Sequence, residues 1–277
     1  MLQAVDVCFE YSGRAPVLRG VSMSVPAAGF VGILGPNGSG KTTLLRTLAG
    51  ALRPASGSVL LDGVDLTRVP RAQLARRMAV VPQETQLAFD YSVLEIVMMG
   101  RYPHLGAFEI EGPTDFAIAR ESLAATGTAG LEDRVFATLS GGEKQRVIVA
   151  AALAQVSASA TTAGRHPGTG ILLLDEPTAA LDLSYQLGLA ALLRSLQERL
   201  SVTIVISTHD LNFAAGLCRS LVLLRNGEVL AAGLTEEVLT ADRIRALYGV
   251  NAEVSRHPAT GRLVVIPISR VAVGADV

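Results

Sequence analysis

Residues 35–43 read Gly-Pro-Asn-Gly-Ser-Gly-Lys-Thr-Thr, and this short stretch constrains the fold more than any other in the chain. The apolar run Phe30-Val31-Gly32-Ile33-Leu34 precedes it, and the helix-patterned Leu44-Leu45-Arg46-Thr47-Leu48-Ala49 follows. Strand, glycine-rich loop and helix in that order are the context that the phosphate-binding pattern G-x-x-x-x-G-K-[ST] requires. Gly35, Gly38 and Gly40 let the backbone curl around an anion without Cβ clashes, while Pro36, Asn37 and Ser39 complete the turn. The N–H groups so exposed, aimed at a helix N-terminus, make a site for polyphosphate. Lys41 then reaches the β- and γ-phosphates and the Thr42 hydroxyl ligates Mg²⁺. The expectation is an α/β fold that binds a nucleoside triphosphate.

At 277 residues the chain has room for one large α/β domain or two unequal ones. A net charge of −1 gives no general basic field, so nucleic acid is not an expected partner. The densest basic stretch, Arg68, Arg71, Arg76 and Arg77, alternates with apolar residues and reads as one solvated helix face. Cys8 and Cys218 have no metal-type spacing, which suits a reducing cytosol. The mean hydropathy of +0.40 comes from many Ala, Val and Leu residues. No uncharged apolar run approaches the roughly 20 residues that a membrane helix needs, and Met1-Leu2-Gln3-Ala4-Val5-Asp6 lacks the features of a signal peptide. Any work at a membrane is therefore expected to depend on other chains.

Short strands with Gly and Pro turns fill the N-terminal part to about residue 80, among them one around Val17, Val21, Met23 and Val25 and one over residues 58–63. From about 84 to 155 the pattern is mostly helical, with Val93, Leu94, Ile96, Val97 and Met98 on one apolar face and Phe116, Ile118, Ala119, Leu123 and Ala124 on another. The unbroken apolar runs 171–174 and 202–206 suit central parallel strands covered on both faces. A crossover helix over 185–193 joins them, so the core is expected to be of βαβ type with the helical segment inserted as a subdomain. Residues 156–170 form a small-residue insertion expected to be mobile. Residues 251–277, with strands flanking His257-Pro258-Ala259-Thr260-Gly261, read as a hairpin-like extension after a main domain over 1–250.

Ser140-Gly141-Gly142-Glu143 opens a helical run, and Ser140 with Glu143 three residues on is a capping box. Two glycines in that first turn are poor helix formers, yet they leave N–H groups open to an anion; the residues alone support a cap and a ligand site equally. Asp175-Glu176 ends the buried strand 171–174, the sheet edge where open α/β proteins place ligands. An acidic pair there fits a metal ligand followed by a residue that orients attacking water. Gln83 and His209 also sit just past strands, and Tyr11, before the Ser12-Gly13 turn, either stacks on a base or packs locally.

Together these residues resemble the ATP-binding cassette ATPases over nearly the whole chain, through Gly35–Thr43, Gln83, Leu139–Glu143, Ile171–Glu176, Ala180-Leu181-Asp182 and His209. The resemblance implies a P-loop ATPase core with a mixed sheet and an inserted helical subdomain. It implies two cassettes closing head to tail, each ATP lying between one loop and the partner's Ser140-Gly141-Gly142 turn. It assigns adenine stacking to Tyr11, phosphate and Mg²⁺ to Lys41 and Thr42, phosphate contact to Thr43, and Mg²⁺ contact with γ-phosphate sensing to Gln83. Asp175 supports the metal, Glu176 polarises the water, His209 contacts the γ-phosphate, and Asp182 lies at the dimer contact.

A lone cassette without membrane helices is similar to an importer subunit. Residues 81–84, Val93-Leu94-Glu95, Gly100–Gly106, Asp210-Leu211-Asn212 and Tyr248-Gly249-Val250 are similar to cassettes of the iron-siderophore, haem and cobalamin importers, and the 156–170 insertion to the haem branch. The group implies a peripheral protein at the cytoplasmic face of the inner membrane, joined as a homodimer to two permease subunits and, indirectly, to a substrate-binding protein. Residues 83–106 would meet the permease, unless Tyr102 and Leu105 only close the helical core. Ala151 stands where the group usually has arginine, which implies a missing local ion pair. The rival reading is a cassette ATPase without a transport role, such as one for iron–sulfur cluster assembly. Haem, ferric siderophore and cobalamin all stay open as cargo, with zinc or manganese more distant.

Overall fold

The computed structural model describes residues 1–13, 15–85, 88–157, 170–179 and 181–271. Most of the 156–170 insertion, Ala180 of the Ala180-Leu181-Asp182 motif, and the last six residues lie outside the described residues. The chain opens with β1 (Leu2–Phe9), β2 (Leu18–Val25), β3 (Phe30–Leu34), α1 (Lys41–Leu48), β4 (Ser56–Leu61) and β5 (Val64–Asp65). It continues through α2 (Arg71–Arg77), β6 (Met78–Val81), α3 (Val93–Met99), α4 (Pro113–Ala125), α5 (Gly141–Val156), β7 (Ile171–Asp175) and α6 (Leu183–Leu200). Next come β8 (Thr203–Thr208), α7 (Leu211–Leu217), β9 (Ser220–Arg225), β10 (Glu228–Leu234), α8 (Thr235–Val238), α9 (Ala241–Tyr248), β11 (Val250–Arg256) and β12 (Leu263–Arg270).

Contacts divide the chain into two compact units. A helical unit holds Met1, Pro26–Gly29 and Leu61–Val205, and a loop unit holds Leu2–Val25, Phe30–Leu60 and Ile206 onward. In the loop unit, β2, β1 and β4 lie side by side, with β1 and β2 antiparallel. A second set runs β10, β9, β3 and the end of β8; β9 is antiparallel to β10 and parallel to β3, so the sheet is mixed. All five residues of β3 are buried, because Val31 and Ile33 face apolar neighbours on one side and Phe30 and Leu34 on the other. The antiparallel pair β11–β12 closes the unit as a hairpin.

In the helical unit the start of β8 continues to β7 and then β6, which pair in parallel from Met78↔Ile171 to Val81↔Leu174. The expected strand at 171–174 thus forms and runs one residue further, to Asp175. The crossover helix is longer than its apolar stripe suggests, because Asp182 caps it at one end by accepting a hydrogen bond from the Tyr185 N–H (3.0 Å). Helices α3, α4 and α5 bury a cluster that includes Val93, Val97, Ile118, Leu123, Phe136 and Val147. Tyr102 is 55% exposed and so does not close this core, whereas Leu105 is half-buried.

Candidate functional site

Two helix N-termini carry most of the predicted residues, and their capping differs. In the loop unit, α1 begins after Gly40 with neither a side-chain cap nor an acidic residue in its first turn. Gly38 and Gly40 have φ of 79° and 103°, the left-handed region that glycine enters without penalty. A Cβ on Gly35 would stand 2.2 Å from the Leu224 carbonyl oxygen and 2.5 Å from Ser39 Oγ, so the loop closes only around a bare backbone there. Lys41 is 4% exposed, and its ammonium folds back to donate to the carbonyls of Gly35 (2.9 Å) and Pro36 (3.2 Å). The Ser39 hydroxyl is buried and has no hydrogen-bond partner among the described residues. A helix start without a side-chain cap, a buried ammonium and an orphan hydroxyl around one loop suit an anion with several oxygens.

Tyr11 lies beside this loop. Its hydroxyl is 3.4 Å from Thr43 Oγ1, and its ring packs edge-on against Phe9 with centroids 4.9 Å apart. Sequence left stacking and local packing both open; the structure shows the packing contact with Phe9. In the same unit, His209 follows β8 with an exposed side chain, while its carbonyl accepts the Tyr248 hydroxyl (3.4 Å). Asp210 next to it caps α7 through the Phe213 N–H (2.9 Å).

In the helical unit, Ser140 caps α5 as its sequence pattern predicts. Ser140 Oγ accepts from the Glu143 N–H (3.3 Å), and the Glu143 carboxylate accepts from the Ser140 N–H and hydroxyl (2.8 Å each). Those two hydrogen bonds, the backbone one foremost, hold the Glu143 carboxyl below its ordinary pKa. Gly142 is buried against Tyr185, whose Cδ1 would be 2.0 Å from a Cβ at that position. A Cβ on Gly141 would meet the Leu181 side chain at 3.9 Å. The Ser140-Gly141-Gly142 turn and the residues around Asp182 are therefore neighbours, which spacing along the chain does not reveal.

Asp175, 8% exposed, ends β7. The parallel register places Gln83, two residues past Val81, at the same carboxyl edge as Asp175, one residue past Leu174. Glu176 adopts φ 42°, although it precedes Pro177, which steers its neighbour toward extended backbone. Strain of that kind, of order 1–3 kcal/mol, concentrates where side-chain aim matters.

Sequence reasoning missed Arg101. It is 1% exposed; its Nε donates to Asp115 (3.0 Å), and its Nη1 donates to the carbonyls of Ala154 (2.6 Å) and Ser157 (2.8 Å). Arginine in a run of exposed-looking residues gives no signal of this burial. Gly100 beside it packs so closely that a Cβ would stand 2.3 Å from the Ala151 carbonyl oxygen.

Comparison with known proteins bears on what these residues serve. The profile described as ABC transporter matches residues 18–179. The chain is 42% identical to the hemin import ATP-binding protein HmuV of Gloeobacter violaceus, covering 99% of this chain and 96% of that protein. It is 36% identical to the ferric enterobactin transport ATP-binding protein FepC of Escherichia coli, covering 94% and 92% respectively. Among solved structures, an inward-facing ABC transporter of metal-chelate type aligns with a TM-score of 0.81 at 28% identity, covering 96% of each chain.

Proposed function

The chain belongs to the ATP-binding cassette family of transporter ATPases, and from that premise we propose that it powers import of a haem, ferric-siderophore or cobalamin-type metal chelate. The observation that carries ATP binding is the uncapped α1 N-terminus, with its left-handed glycines and buried Lys41. The chelate class rests on likeness spanning the whole length of import ATPases rather than the core alone.

In this reading the 35–43 loop wraps the phosphates, Thr43 contacts them, and Tyr11 lies under the adenine. Lys41 exchanges the carbonyls of Gly35 and Pro36 for phosphate oxygens, so an ammonium already desolvated and aimed gains stronger, charged partners. Mg²⁺, when bound, would neutralise charge on the β- and γ-phosphates, and the oxygen donors that the family resemblance gives it are Thr42, Gln83 and Asp175. Glu176 orients and polarises the attacking water, and His209 donates toward the γ-phosphate. Cassettes of this family dimerise and join permease complexes. Here two copies would close so that Ser140, Gly141 and Gly142 of one meet the nucleotide held by the other, with Asp182 at the contact. ATP then favours closure because only the closed dimer contacts it from both sides. No helix among the described residues is long and apolar enough to cross a membrane, so attachment to the cytoplasmic face would come through permease subunits.

Glu176→Gln is the direct test. It keeps the size and the strained backbone but removes the negative charge, so it should bind ATP, form a stable dimer and release phosphate at less than about a hundredth of the wild-type rate. Wild-type phosphate release would remove Glu176 from this role. Purification with a many-helix permease from detergent-solubilised membranes tests the transport reading separately.

A further inference from the structure

The C-terminal hairpin builds a second charged concavity, wholly within the loop unit and away from any residue assigned above. A pocket of about 330 Å³ is lined by Arg219, Glu236, Arg256 and Arg262, with Thr235 and Leu263 among its other walls. Three arginines and one glutamate thus stand among its lining residues. Arg256 is committed: one nitrogen donates to the Gly261 carbonyl (3.1 Å) and another pairs with Glu236. Arg219 and Arg262 have no side-chain hydrogen bond or ion pair among the described residues, so the lining carries uncompensated positive charge.

The walls are held in place by hydrogen bonds to the backbone. The hairpin loop closes through the His257 N–H to the Arg262 carbonyl (2.8 Å) and the Gly261 N–H to the His257 carbonyl (2.8 Å), with Gly261 at φ 67°. Asn212 on α7 grips the backbone of β12 from both sides, donating to the Val265 carbonyl (3.1 Å) and accepting from the Val265 N–H (2.8 Å). On the opposite wall the Thr235 N–H donates to the Arg219 carbonyl (3.0 Å), and its hydroxyl donates to the Cys218 carbonyl (2.6 Å). Guanidiniums carried on a fixed backbone around one pocket can recognise tetrahedral oxyanions in the bidentate manner.

We propose that this pocket binds a phosphate group, with Arg219 and Arg262 as its principal ligands and Arg256 released from Glu236 to join them. The Arg256–Glu236 pair is more than half exposed on both sides, so water screens it and a dianion can displace the carboxylate. The volume exceeds that of one phosphate, so the group would be part of a larger phosphate-bearing molecule, either a soluble ester or a lipid headgroup.

The test uses the full chain saturated with ADP in EDTA, which fills the 35–43 loop and so reserves it. Pyrophosphate is titrated calorimetrically into wild type and into Arg219→Gln/Arg262→Gln at constant ionic strength, and both proteins are sedimented with phosphatidylcholine vesicles with and without phosphatidic acid. Expected is one pyrophosphate per chain, with affinity falling at least tenfold in the double variant, while ADP binding is equal in both proteins. Binding to phosphatidic acid vesicles that is lost in the variant assigns the group to a lipid headgroup; pyrophosphate binding without vesicle binding assigns it to a soluble ester. No pyrophosphate binding in wild type, or equal binding in the double variant, overturns the proposal. Because the exchanged residues are at the surface, unchanged ADP affinity also shows that a loss is not misfolding.

Discussion

Arg101→Met should weaken the helical unit by about 3 kcal/mol, and the structure shows where that figure comes from. Methionine keeps most of the aliphatic stem in a site that is 1% exposed, so packing is largely preserved and the loss is polar. Removed are three hydrogen bonds from a cation, to Asp115 and to the carbonyls of Ala154 and Ser157, each worth roughly 1.5–3 kcal/mol. These do not add, since one side chain makes them all; deleting one partner of a buried pair costs about 3–5 kcal/mol. Asp115 is 15% exposed and can regain some water, which places the value at the lower end. At about 2–4 °C per kcal/mol, the thermal transition of the helical unit should fall by roughly 6–12 °C. Burial raises the Asp115 pKa, but the Gly112 N–H and the Arg101 guanidinium together bring it below the ordinary aspartate value. A depressed carboxylate stabilises above its unfolded pKa, about 3.9, and that stabilisation is lost as pH falls through the folded value. The gap between wild type and Arg101→Met should therefore narrow below about pH 4, without closing, because the two carbonyl contacts do not titrate. In a double-mutant cycle Arg101→Met and Asp115→Asn should couple by at least about 1 kcal/mol. A cost under about 1 kcal/mol, or additivity within about 0.5 kcal/mol, would refute the reasoning.

Gly142→Ala would press a methyl into the Tyr185 ring, and the ring must leave its place. The overpacking cost of about 1–3 kcal/mol should exceed the helix-propensity gain of about 1 kcal/mol, and Tyr185→Ala should recover part of it in chemical denaturation. Gly35→Ala meets a backbone oxygen that cannot swing aside, so calorimetry should show ATP affinity reduced by about tenfold or more. Tyr102→Ala touches an exposed ring and should leave stability within about 0.5 kcal/mol and ATP binding intact, yet uncouple hydrolysis from uptake in reconstituted vesicles; normal uptake would show that Tyr102 has no part in coupling.

What the sequence made legible follows from how local each signal is. The 35–43 loop, the Ser140 capping box and the buried strand before Asp175 were readable because glycine, a Ser-x-x-Glu spacing and an unbroken apolar run each act over a few residues. Strand β1 was not recognised, since Leu2–Phe9 lacks strict alternation; Ala4 and Val7 both point inward across an irregular register with β2. Arg101 was unreadable for a different reason: its partners lie 14, 53 and 56 residues away, and only the folded α3, α4 and α5 bring them within reach. The same holds for Asn212 and Val265, 53 residues apart.

The two helix N-termini explain why one glycine-rich turn was clear from sequence and the other ambiguous. At α1 the first turn has neither a side-chain cap nor an acidic residue among the described residues, and a polyphosphate is a group with oxygens enough to meet such a helix start. At α5 the capping box occupies the Glu143 N–H and returns the Glu143 carboxylate to Ser140, which would suffice for a purely structural helix start. Yet positions 141 and 142 are glycine, which weakens the helix by about 1 kcal/mol each relative to alanine. Tyr185 accounts for Gly142, since any side chain there would enter its ring. It does not account for Gly141, whose Cβ direction meets only Leu181 at ordinary contact distance and which is exposed. An exposed glycine, left in the first turn of a helix that packing would let be alanine, is best explained by a backbone that something else must approach. In the dimer proposed above, a partner's nucleotide approaching this turn would meet that need.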